Sequence, residues 1–193
     1  MKNTEIVLSE IYKIISYNVF DGRLPVCDFQ VVDTTRAKSG WSYKIKNSHY
    51  FITISFQHLG DENSVILLNM MHQIIHVFLS SKGVDGTCNH GAYHNKLFRE
   101  VAEQHGVICS FEHGIGYQTI EITDELIRKI NIPDLRKRLN DGMEKDINAM
   151  PERKSRTKFI CPECRRMATA GKTMKLYCGW CMIEMEKKTT KDK

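Results

Sequence analysis

His72-Gln73-Ile74-Ile75-His76 decides the reading of this chain, because its two histidines stand four residues apart in an apolar stretch with helical periodicity. At that spacing both imidazoles lie on one helix face and can share one Zn²⁺. In the H-E-x-x-H pattern the residue after the first histidine is a glutamate that serves as general base. Here that position holds Gln73, an amide with no useful basicity. A metal-binding geometry is expected; its usual proton acceptor is missing.

The helix carrying this stretch starts at Asn63 or Ser64, which can cap it, and runs to Leu79 or Ser80, before Gly83. It is apolar nearly all round (Val65, Ile66, Leu67, Leu68, Met70, Met71, Ile74, Ile75, Val77, Phe78), so it should be buried, and its polar residues then need partners. Upstream, Thr4 to Val19 shows the spacing of an amphipathic helix, closed by turn residues from Phe20 to Pro25. Asp28 to Asp33, Gly40 to Lys46 and Tyr50 to Ser55 read as strands, with Lys46-Asn47-Ser48 as a hairpin turn. Downstream, a loop from Gly83 to Asn89 precedes a helix over Ala92 to Gln104. A strand over Gly116 to Thr123 and a helix over Asp124 to Leu139 follow. The chain divides into a domain over 1–143, a linker over 144–158 and a small module over 159–193.

A catalytic zinc site takes three protein ligands and keeps a fourth position open. His72 and His76 supply two; His90 and His94 are the candidates for the third, with His105 and His113 more remote. Tyr117 can approach such a centre as an oxyanion donor or pack as an ordinary strand tyrosine.

A second metal pattern lies near the end. Cys161-x₂-Cys164-x₁₃-Cys178-x₂-Cys181 has the spacing of two knuckles holding a structural Zn²⁺ through four thiolates, whereas a thioredoxin-type motif would be single. Residues 151–193 carry 12 Lys/Arg against 5 Asp/Glu, a net of +7, while residues 1–150 carry 16 against 18. Arg153, Lys154, Arg156, Lys158, Arg165, Arg166, Lys172 and Lys175 surround the knuckles, interleaved with Phe159, Tyr177 and Trp180. Cations suited to phosphates, with aromatics suited to bases, point to nucleic acid; the other reading is a solvated charge face around a small aromatic core. The remaining cysteines, Cys27, Cys88 and Cys109, read as small buried hydrophobes.

No uninterrupted apolar run approaches the roughly 20 residues of a membrane span, and the N-terminus lacks a signal-peptide pattern. A cytoplasmic protein with reduced cysteines and no membrane partner is expected.

The order of these features resembles the SprT-like family, the zinc metallopeptidase-like group that includes the DNA–protein crosslink protease Spartan. The resemblance rests on Asn18-Val19-Phe20-Asp21-Gly22-Arg23-Leu24-Pro25, the strand ending Tyr50-Phe51-Ile52-Thr53-Ile54-Ser55, the His72/His76 helix and the H-x-x-x-F element His94 to Phe98. It implies an α+β, zincin-like metallopeptidase domain with a small β-sheet, plus a C-terminal zinc ribbon. His72, His76 and His94 become the ligands of the catalytic-type zinc, and Gln73 takes the place of the catalytic glutamate. DNA or a DNA-bound protein is the implied partner. Gln73 marks a protein kept for binding, a substitution trapping an inactive form, or residual turnover with another base such as Glu100 or Glu103.

Overall fold

The computed structural model describes residues 2–33, 40–88, 93–149, 156–171 and 173–187, with Arg156 described for its backbone only. His90, Arg153, Lys154 and Lys172 lie outside the described residues, as does the Arg156 side chain. The chain is mixed α+β and divides into two compact units, Met1–Asn148 and Ala149–Lys193.

The first unit opens with α1 (Asn3–Phe20), one residue longer at each end than its periodicity suggested. Glu5 accepts a hydrogen bond from the Lys2 backbone N–H at the start. Asp21 ends the helix in the left-handed conformation, at φ 52°. Leu8, Ile11, Ile15 and Phe20 form its fully buried stripe.

Strands β1 (Cys27–Val32), β2 (Trp41–Lys46) and β3 (His49–Ser55) form a sheet of order β1-β3-β2. β3 runs parallel to β1 and antiparallel to β2. Asn47 and Ser48 both have positive φ, 51° and 61°, the geometry of a type I′ hairpin turn that matches strand twist. A short 3₁₀ turn at Phe56–Gly60 leads to the central helix α2 (Asn63–Ser81).

Among the described residues, α2 is the helix long and apolar enough by composition to cross a membrane. Met70, Met71, Ile74, Ile75 and Val77 are nonetheless fully enclosed by the rest of this unit. Burying each such side chain contributes about 1.5–3 kcal/mol, which is why the most apolar segment becomes the core helix.

β4 (Thr87–Cys88), β5 (Tyr93–His94), β6 (Val107–Glu112) and β7 (Gly116–Ile122) make a second sheet of order β4-β5-β7-β6. The expected helix from Ala92 begins later, as α3 (Lys96–Gln104), because Asn95 caps it by accepting from the Phe98 N–H at 3.0 Å. That shift moves His94 from a helix onto a strand. The expected helix over Asp124–Leu139 is two: α4 (Asp124–Ile130) stops at left-handed Asn131 just before Pro133, and α5 (Leu135–Ala149) follows. α5 continues through residues read as linker, with its buried Leu139 and Asp146 holding it to this unit.

The second unit is a three-stranded antiparallel sheet, β8 (Arg156–Ile160), β9 (Met167–Gly171) and β10 (Glu186–Lys187), of order β10-β8-β9. Its core is small: Phe159, Cys161, Cys178 and Met185.

Candidate metal centres

α2 presents His72 and His76 one turn apart, and β5 brings His94 against them. His76 Nε2 lies 3.2 Å from His72 Nε2 and 3.1 Å from His94 Nε2. Two nitrogens held tetrahedrally at about 2.05 Å from one Zn²⁺ stand roughly 3.3 Å apart, so the three donors fit a single ion. His72, His76 and His94 are accordingly the described imidazoles brought together.

The surroundings keep these rings neutral, the form that binds metals. Burial pushes His72 down to about 3, with the His94 charge adding to it. Burial, then the charges of His72 and His94, holds His76 well below the ordinary imidazole value. Burial also lowers His94, although the backbone of Tyr117 opposes the shift.

Packing fixes the rings. Phe98, fully buried, sits against all three, with centroids 5.1 Å from His72, 4.8 Å from His76 and 4.3 Å from His94. The four-residue step from His94 to Phe98 thus joins one of the three imidazoles to the ring packed against all of them. Tyr43 from β2 stacks on His76, and His72 Nδ1 lies 3.0 Å from Thr119 Oγ1 on β7. Gly116 on β7 has φ 88°, and a Cβ there would stand 2.5 Å from the His94 carbonyl oxygen. Glycine at 116 is what lets β7 pair directly with β5 at His94. Tyr43, Gly116 and Thr119 escaped the sequence reading, since no fixed spacing ties a strand residue to a helix ligand.

Gln73 is buried beside His72. Among the described residues no carboxylate joins the histidine group. Glu100 and Glu103 are half-exposed on α3, paired with Lys96 at 3.5 Å and with Arg99 at 3.6 Å. Tyr117 packs edge-on against Phe111 at 5.2 Å, and the Arg99 guanidinium donates to its hydroxyl at 3.4 Å.

The four cysteines form two matching knuckles. Arg165 N–H bonds to the Cys161 carbonyl at 3.0 Å and Met182 N–H to the Cys178 carbonyl at 2.8 Å. The residue after each second cysteine, Arg165 or Met182, turns left-handed at φ 60° and 58°. Cys164 Sγ and Cys178 Sγ are 3.6 Å apart, against roughly 3.8 Å for two thiolates on one Zn²⁺. Backbone N–H groups of Cys181 and Trp180 bring the Cys178 thiol down to about 6, whereas the Cys164 thiol pushes Cys181 up. Four crowded thiols cannot all ionise alone, and a divalent cation at their centre would relieve that repulsion.

No family model, curated protein or solved structure matches this chain. The two donor sets therefore stand on their geometry and chemistry.

Among the cationic residues, Lys158, Arg165, Arg166 and Lys175 are exposed on the second unit. Phe159 fills its core, but Tyr177 and Trp180 do not: they are 64% and 73% exposed. The Arg166 guanidinium lies over Trp180, 4.6 Å from the ring centre. Of the other cysteines, Cys27 is buried, with its thiol pushed up to about 12 by burial and then by Asp28. Cys109 is half-buried, and burial lifts it to about 11. Cys88, expected to be buried, is exposed because β4 is the edge strand of its sheet.

Proposed function

We propose that this chain is a SprT-like, zincin-type zinc metallopeptidase scaffold joined to a basic zinc ribbon, with a family role in cleaving DNA-associated proteins. The convergence of His72, His76 and His94 Nε2 at 3.1–3.2 Å around His76 carries the reading. Zinc held there supplies Lewis-acid polarisation of a scissile carbonyl and makes water more acidic. The three histidines bind and orient the ion; Phe98 and Tyr43 hold their rings and exclude water from the side they cover. The Gln73 amide can hydrogen-bond to water or substrate but cannot accept a proton. General-base assistance is worth roughly 10²–10⁴-fold, so turnover by this chain is expected to be reduced by about that factor or lost.

That no carboxylate joins the histidine group among the described residues favours a second reading, a non-catalytic zinc-binding adaptor that recognises DNA or a protein partner. Here the exposed Arg166–Trp180 pair and the neighbouring cations are the contact surface. Assaying the chain and its Gln73→Glu variant on a DNA-bound protein separates the two. Cleavage by the glutamate form at 10²-fold or more above this chain supports the peptidase scaffold. No cleavage by either form, with zinc bound at the histidines, leaves the adaptor.

A further inference from the structure

We propose that Thr119 is the positioning residue of the histidine centre: its hydroxyl oxygen accepts the Nδ1 proton of His72 and fixes the tautomer whose Nε2 lone pair faces the ion. The inference rests on the reading that His72, His76 and His94 hold a metal.

An imidazole that holds a metal is neutral and carries one proton, on Nδ1 or on Nε2. A proton on Nε2 would occupy the space toward His76 Nε2, only 3.2 Å away, and remove a ligand. Thr119 Oγ1, 3.0 Å from Nδ1, is the partner that draws the proton to the far side. Ligand histidines generally donate their second N–H in this way, and the partner sets both orientation and basicity.

The strand is shaped to deliver that hydroxyl. Along β7 the register slips: Glu121 faces Ile108 while Thr119 faces Cys109, so Ile120 is an extra residue, a β-bulge. In a regular strand residues three apart point to opposite faces. Here Ile122 is buried in the core and Thr119 still reaches His72 on α2, while Ile120 is turned out, 54% exposed. Without the bulge, the parity that buries Ile122 would aim Ile120 at the helix in place of Thr119. Threonine suits the position, since its branched Cβ is stiff in a strand and leaves few rotamers for the hydroxyl.

The test uses the full chain, whose cysteine-bound zinc serves as an internal control. Zinc affinity is measured by chelator competition for the wild type, Thr119→Val and Thr119→Ser. Valine is expected to weaken the histidine-bound zinc about 10–100-fold, with serine restoring most of the affinity and neither variant altering the cysteine-bound ion. Long-range ¹H–¹⁵N spectra of the zinc-loaded chain should show His72 protonated at Nδ1. Thr119→Val binding zinc as tightly as wild type, or His72 protonated at Nε2, overturns the proposal while leaving the metal site standing. A wild-type chain that holds only the cysteine-bound zinc overturns the metal reading itself, and this inference with it.

Discussion

The ring of Tyr43 lies flat on that of His76, with centroids 4.9 Å apart and planes 8° from parallel. One residue belongs to the edge strand β2 and the other to the buried helix α2, so the first sheet braces the histidine at the centre of the cluster. Tyr43→Ala removes that face. A loss of about 2 kcal/mol in the first unit is expected, with faster release of histidine-bound zinc. Tyr43→Phe keeps the ring and should behave as wild type in both thermal unfolding and zinc release. Equal zinc release by the alanine and phenylalanine variants would show that the stack does not brace the ligand.

Phe98 touches all three histidine rings from a fully buried position. Phe98→Ala should cost about 3–5 kcal/mol and leave a cavity beneath the ligands, whereas Phe98→Leu should cost considerably less. Denaturant unfolding of the first unit, followed with and without zinc, reads both numbers. A cost under about 1 kcal/mol for alanine would contradict the packing described.

Acid should weaken the metal-free first unit through the same histidines. His72, at about 3 when folded, and His76, also far below its ordinary value, stay neutral while the unfolded chain takes up protons near pH 6.5. Their contribution is complete above that pH and is lost as pH falls through the interval down to the folded values, by about 1.4 kcal/mol per pH unit per histidine. Urea unfolding at pH 7.5, 6.0 and 5.0 should show this slope, reduced by about one proton in His72→Asn. A pH-independent midpoint would mean that the histidines are not held neutral.

Asp146 on α5 fastens the start of α1. Its carboxylate accepts from Asn3 N–H at 2.6 Å and Nδ2 at 3.0 Å, and from Thr4 N–H at 2.9 Å and Oγ1 at 2.6 Å. Burial raises this carboxyl, but the bonds from Thr4 and Asn3 outweigh it and hold the group below the usual carboxylate range. The clasp's contribution is therefore complete above the ordinary carboxyl range and is lost progressively as pH falls from there through the lower folded value. Asp146→Ala should lower stability by about 3 kcal/mol at neutral pH, since it leaves helix N–H groups buried without an acceptor. Amide exchange at residues 3–6 should accelerate in the same variant, and unchanged exchange there would count against the clasp.

In the second unit the core is small, and a metal held by the four cysteines is expected to stabilise it. Cys178→Ser, or a strong chelator, should abolish amide protection in β8 and β9 while leaving the first unit folded. Persistence of β8–β9 protection after zinc removal would show that the aliphatic core alone suffices.

Much of this was legible along the chain. Apolar periodicity gave α1 and α2, alternation gave β1 to β3, and the Asn47-Ser48 pair gave the hairpin, because each reports a local preference that packing did not override. The cysteine knuckles were equally plain, since two cysteines three residues apart are placed by the local turn. The break at Asn131–Pro133 had a local signal too, but Asp124 to Leu139 kept helical spacing across it. The short strands β4 and β5 had none: they exist because β4 pairs with β5 and β5 with β7.

The sequence by itself determined that two donor sets exist and that Gln73 lacks a base's chemistry, for residue type and i, i+4 spacing depend on nothing distant. Only the tertiary structure decided how His94 joins His72 and His76, that Phe98, Tyr43 and Thr119 hold them, and that Trp180 is exposed while Phe159 is buried. These are contacts between elements far apart in the chain. Strand register, a bulge at Ile120 and the close approach at Gly116 set them, and none has a period that a linear reading can detect.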